Sequence, residues 1–208
     1  MAKLDIWPVV HTERKSLASD MTGLPSERWS AQSLCTDWTV RDVLAHMTAT
    51  AKVTPANFFP KLIGSGLNFG RMQSKDIAAE SGDSPADTLV AFESVLTSTR
   101  RPPGPPAAML GETIVHSEDI RRPLGIQHDY PIEAVVQVAD FYKGSNLIIG
   151  TKRRINGLRM RATDADWSYG NGPEVSGPML SLLVAMTGRK AVLDDLSGEG
   201  VETLRSRN

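Results

Sequence analysis

Between Arg101 and Pro106 the chain reads Arg-Pro-Pro-Gly-Pro-Pro, a run that neither a helix interior nor a central strand can cross. Proline and glycine punctuate the rest in the same way, at Gly23, Pro25, Pro55, Pro60, Pro85, Pro123, Gly125, Pro131, Pro178 and Gly188. Most segments between these breaks have the length of an ordinary helix and carry apolar residues at helical spacing. The punctuation therefore points to several short helices.

The first helix is expected over about Pro8 to Met21, with Val9, Val10, Leu17 and Met21 as apolar positions. The second has the best-marked start. Thr39 is an N-cap, Asp42 is a short version of the capping-box acid, and Trp38 with Val43 can form a hydrophobic staple. Gly64 to Pro85 carries four glycines and many small polar residues, and reads as a long loop with room for a short helical turn. Ser84-Pro85 opens a third helix, by the rule of a cap followed by proline. A fourth begins near Pro106 and is ended by Pro123 and Gly125. Pro131 opens a fifth, through Val135, Val138, Ala139 and Tyr142.

After about Leu147 the period changes. Leu158, Met160 and Ala162 alternate with Arg159, Arg161 and Thr163, which is strand spacing with the arginines on the solvated face. Asn171-Gly172 suggests a turn or a hairpin joining residues 167–169 to residues 174–175. Met179, Leu182, Leu183 and Met186 then mark a helix opened by Pro178 and stopped by Gly188. The expected architecture is mainly α: a helical bundle over residues 1–147, with a small α+β segment over residues 148–208 packed on it.

Composition excludes several classes. Lys+Arg 23 against Asp+Glu 24 leaves a net charge of −1, so there is no basic excess for a nucleic-acid binder. One cysteine, Cys35, allows neither an intramolecular disulfide nor a multi-cysteine metal cluster. Asp5 and Pro8 interrupt any signal-peptide core, and the longest apolar stretch, Leu182 to Met186, is far too short to span a bilayer. The cytosol is the expected compartment.

Glu112 and His116 are four apart on one expected helix and share its face with Met109 and Ile120. His46 lies on the Val43 face of another helix. Together they could supply three ligands to one divalent metal, the catalytic zinc pattern with an open fourth position. The alternative is that each histidine is a hydrogen-bonded core residue. Asp119 is either a spare ligand or the orienter of an imidazole. Cys35, just ahead of a helix cap, is a weak place to infer a nucleophile. His11 and His128 show no obvious partner and read as surface residues. Gly170 and Gly172 do not sit between a strand and a helix, so they are turn residues rather than a dinucleotide fingerprint.

The run Cys35-Thr36-Asp37-Trp38-Thr39-Val40-Arg41-Asp42-Val43-Leu44-Ala45-His46 resembles a signature of the DinB-like superfamily. It is especially similar to the mycothiol-dependent maleylpyruvate isomerase branch. Glu112 to Gly125 matches that branch's helix, with Glu112, His116, Asp119, Arg121, Leu124 and Gly125 at its marked positions. The run from Trp167 to Arg189 resembles the branch's ending.

The resemblance implies a DinB-like four-helix bundle in which His46, Glu112 and His116 bind one divalent metal, usually zinc. It implies mycothiol as cosubstrate, and a small electrophile attacked by the metal-bound thiolate in a transfer or isomerisation. It also implies that Arg189 binds an anionic substrate, although a cation just past a helix end is as well explained by the helix dipole. The C-terminal region is shorter than that of the well-studied isomerase. The rival readings are a non-catalytic metal-binding or stress-related bundle, and a dimerisation module acting as a homodimer. All share one fold, so fold alone does not separate them.

Overall fold

The structure is a computed structural model describing residues 4–146 and 149–207. The chain divides into two compact units: residues 5–128, and residues 1–4 with 129–208. It is mainly α with a small sheet near the C-terminus, as expected.

The first unit holds seven helices: α1 (Ile6–Met21), α2 (Ser26–Trp29), α3 (Val40–Lys52), α4 (Pro55–Gly64), α5 (Phe69–Ser81), α6 (Pro85–Glu93) and α7 (Ala107–Leu124). Helix α1 packs on α7, α7 on α3, α3 on α6 and α6 on α1, closing a four-helix bundle. Its core includes Leu17, Met21, Val43, Leu44, Met47, Phe92 and Ile120. Local chemistry sets the helix starts. Thr39 and Asp42 form the expected capping box, and Ser84 with Asp87 forms another. Trp38 and Val43 belong to one apolar cluster, as a staple requires.

The loop expected over residues 64–85 instead contains α5, capped by Asn68 and packed on α3 and α6. Only Met72 and Ile77 are buried on it, so no apolar stripe was there to read. Arg41 of α3 satisfies this helix's exposed end. Its Nη2 donates to the carbonyls of Ser81 and Gly82, at 2.8 and 2.9 Å, and its Nε to Thr88 Oγ1 at 2.9 Å.

The second unit comprises α8 (Ile132–Tyr142), α9 (Thr151–Arg154), β1 (Arg159–Ala162), β2 (Ser168–Tyr169), β3 (Glu174–Gly177), α10 (Met179–Met186), a 3-10 turn (Lys190–Asp195) and α11 (Val201–Arg207). Helix α10 packs on α8, β1 and β3. Arg159 and Arg161 are exposed and pair with Glu174, as the solvated face of a strand.

The chain turns at Asn171-Gly172, as expected, but the two strands it joins do not pair as a hairpin. The sheet order is β2-β1-β3, with β2 antiparallel and β3 parallel to β1. The chain must pass the start of β1 to reach its other edge. A Cβ on Gly170 would lie 2.2 Å from Leu158 O, and one on Gly172 would lie 2.2 Å from Gly157 O. These glycines serve a backbone-over-backbone crossing, which in sequence looks the same as a tight turn.

Candidate metal centre

The site assembles around one missing hydrogen bond. Pro123 was expected to end α7, but it lies inside the helix's last turn, and the helix closes at Gly125 in the left-handed conformation. Proline has no N–H to offer the carbonyl four residues back, that of Asp119. The Leu34 N–H donates to that carbonyl instead, at 3.2 Å. The segment ahead of α3 is thereby laid along α7.

This brings Cys35 to the site. Its Sγ donates to Asp119 Oδ2 at 3.1 Å and lies 4.0 Å from His116 Nδ1. His116 Nδ1 is 2.8 Å from the same carboxylate oxygen. Asp119 is fully buried and His116 nearly so. The ligand atoms of Cys35, His116 and Asp119 lie within 4.8 Å of one another. Sequence reasoning missed Cys35, because its link to α7 is non-local; the only clue was the proline four residues past Asp119.

His46 of α3 meets the same histidine from another side. The rings of His46 and His116 are 4.9 Å apart, edge to face, and Trp38 lies 4.8 Å from the His46 ring. Burial and the neighbouring His116 hold His46 down at about 3, so it is neutral, with a lone pair to offer. Burial disfavours the charge on His116, but hydrogen bonds to Asp119 and Cys35 outweigh it and raise that imidazole to about 10. Raised that far, His116 is an imidazolium, and its Nε2 could serve as a ligand only after giving up its proton to an incoming cation.

Glu112, one turn before His116, is the unusual group. Both its carboxylate oxygens are buried without a hydrogen-bond partner. Burial raises its pKa, opposed by the charges of His116 and Arg14. Arg14 of α1 is fully buried, with Nη1 fixed by the carbonyls of Val95 and Ser98. An unpartnered buried carboxylate costs several kcal/mol unless something binds it. A divalent cation is a fitting partner for that carboxylate, but among the described residues the ligand atoms that gather within 4.8 Å are those of Cys35, His116 and Asp119, not of His46, Glu112 and His116.

The remaining candidates have the following surroundings. Arg189 belongs to the second unit, where its Nη1 donates to Thr187 O at the end of α10. His128 and His11 are not bare surface residues. His128 Nε2 is 2.6 Å from Glu13 Oε2, and His11 stacks on Trp7 with its Nε2 buried.

The comparisons with known proteins bear on the first unit's family and on the fold of the whole chain. Residues 10–102 match the family model described as the mycothiol maleylpyruvate isomerase N-terminal domain. The match covers somewhat less than half of the chain; it includes residues 35–46, where the resemblance was read, and not residues 112–125. His46 lies inside the matched stretch; Glu112 and His116 lie beyond it. A crystal structure of the mycothiol-dependent maleylpyruvate isomerase is similar at a TM-score of 0.63 and 14% identity, covering 94% of this chain and 93% of that one. A histidine-to-alanine mutant of that enzyme is similar at 0.61, with the same identity and coverage. At this identity the likeness is one of fold. No curated protein matches the sequence. No helix among the described residues is long and apolar enough to cross a membrane.

Proposed function

We propose that this protein is a metal-dependent enzyme that uses a low-molecular-weight thiol, mycothiol by its family, against a small electrophile in a transfer or isomerisation. The observation that carries the reading is the buried Glu112 carboxylate, unpartnered and one helical turn from a histidine anchored by Asp119. In this reading His46, Glu112 and His116 hold one divalent cation, zinc being the natural choice for two imidazoles and a carboxylate. When bound, such a cation lowers the pKa of a coordinated thiol, so that the thiolate forms at neutral pH. Asp119 fixes the tautomer and orientation of His116. Trp38 covers the His46 ring and limits its access to water. Arg189 is proposed to take an anionic group of the substrate. The proposed compartment is the cytosol.

A second reading rests on Cys35. If its sulfur joined the metal set, it would close the fourth position and leave a non-catalytic metal-binding bundle.

Metal analysis should give close to one equivalent per chain. Replacing His46 or His116 by Ala should leave helical circular dichroism intact while weakening metal binding by about tenfold or more. Full metal affinity in His46→Ala would remove His46 from the set. Thiol consumption with mycothiol and a panel of electrophiles, followed from about pH 6 to pH 9 across the free-thiol range, separates the two readings. The wild type should exceed the uncatalysed rate, while metal-free protein and Glu112→Gln should not. If all three match the uncatalysed rate, the binding-module reading stands instead.

A further inference from the structure

We propose that the second unit carries an anion-binding site of its own, formed by Arg153, Arg154 and Arg207 around a cavity of about 300 Å³, for a compact organic or inorganic oxyanion of charge −2. The cavity is lined by these three arginines and Gly150. Its residues all belong to the second unit.

Charge favours an anion in this cavity. Three guanidiniums line one small cavity in a protein whose net charge is −1. Among the described residues no carboxylate pairs with any of them; Asp194 and Glu202, also of this unit, are both paired with Arg205. Elsewhere in this unit arginines are matched by acids, as Arg159 and Arg161 are by Glu174. Like charges in one cavity repel unless an anion screens them. Burial and the charges of Arg189 and Arg153 push the Arg154 pKa below its ordinary value, consistent with that repulsion.

Preorganisation favours an anion as well. Arg154 Nη1 donates to the carbonyls of Ile149 and Met186, at 2.8 and 2.9 Å. Gly188 leaves room for the guanidinium, since a Cβ there would lie 2.9 Å from Arg154 Nη2. The fork is therefore locked in place, yet its Nε is buried with no hydrogen-bond partner. With Nη1 committed to two carbonyls, the rest of the fork is held in place for an acceptor in the cavity. Arg207 Nη1 is fixed by the carbonyls of Arg154 and Asn156, at 3.0 and 2.6 Å, which holds a second guanidinium at the rim. Arg153 is exposed and has no side-chain partner among the described residues, so it is the arm able to close on a ligand.

Size and shape favour a small one. The volume is at the lower end for small-molecule sites. Guanidinium forks take carboxylate or phosphate oxygens two at a time. A small dicarboxylate and a phosphate monoester share the required chemistry, two negative charges on clustered oxygens.

The test is titration calorimetry on the full chain with two probes, maleate and inorganic phosphate, in matched chloride. At least one probe should bind saturably, and added salt should weaken it. Phosphate alone would assign the site to tetrahedral phosphoryl groups, and maleate alone to dicarboxylates. Arg153→Ala should weaken binding about tenfold, the equivalent of one lost charge-assisted contact. Arg153→Glu should abolish it, and neither change touches a partner needed for folding. His46→Ala should bind the anion as the wild type does. Binding of neither probe above the chloride control would overturn the proposal. So would undiminished binding in Arg153→Glu.

Discussion

Helices α3 and α4 follow one another, and both begin with a threonine capping box, Thr39 with Asp42 and Thr54 with Asn57. Beyond the caps they differ completely. Helix α3 buries eight residues, including Val43, Leu44 and Met47, and faces α7, α6 and α5. Helix α4 buries none, although it is the more apolar, and Phe59 and Ile63 are largely exposed. A cap sets where a helix starts; packing of a face decides what the helix contributes. The same contrast separates α7 from α5, which buries only Met72 and Ile77.

The comparison is broken most directly with charge. Arg121 of α7 is fully buried and held by Asp20 at 2.7 Å and Ser16 at 3.0 Å. Lys61 of α4 pairs with Asp76 of α5 at 2.7 Å but is more than a third exposed. Arg121→Ala should cost about 3–5 kcal/mol, because it strands buried acceptors. Lys61→Ala should cost less than about 1 kcal/mol. Urea unfolding midpoints measure both. Equal costs would mean that α4 and α5 belong to the folding core after all.

Apolar truncation comes next. Leu44→Ala should destabilise by about 2–5 kcal/mol, the range for a fully buried leucine. Ile63→Ala should stay within about 0.5 kcal/mol of wild type. A large loss in Ile63→Ala would show that α4 is covered in solution, by a second copy of the chain or by another partner.

The smallest effect sharpens the contrast furthest. Thr39→Ala should lower global stability by about 1 kcal/mol, since the helix it caps is part of the core. Thr54→Ala loses an equivalent cap but should fray α4 locally, leaving the global midpoint unchanged. Amide hydrogen exchange across residues 54–64 should then rise while that of residues 40–52 does not. If the Thr54 variant shifts the global midpoint as much as the Thr39 variant, the two helices unfold as one unit.

How much of the site was legible follows from the range of the forces involved. His46, Glu112 and His116 could be named as candidates because helical spacing alone places Glu112 beside His116, and the motif around Trp38 and Thr39 supports the resemblance. Nothing local placed His46 against His116, or Cys35 against Asp119; those are contacts between α3, its leading segment and α7. The partner of His128 was equally invisible, since Glu13 is distant in sequence.

The helix starts at Thr39 and Ser84, the stop at Gly125 and the mainly α class were written into the sequence, because caps, prolines and left-handed glycines act on backbone groups within a turn or two. The parallel pairing of β1 with β3, the glycine crossing at 170 and 172, the unpartnered Glu112 carboxylate and the cavity of arginines were decided only in the tertiary structure. Each depends on what distant backbone and side-chain groups find opposite them when the chain closes. Pro123 shows the boundary between the two. Its missing N–H is a property of the residue, but only the fold determined that the freed Asp119 carbonyl would take the N–H of Leu34.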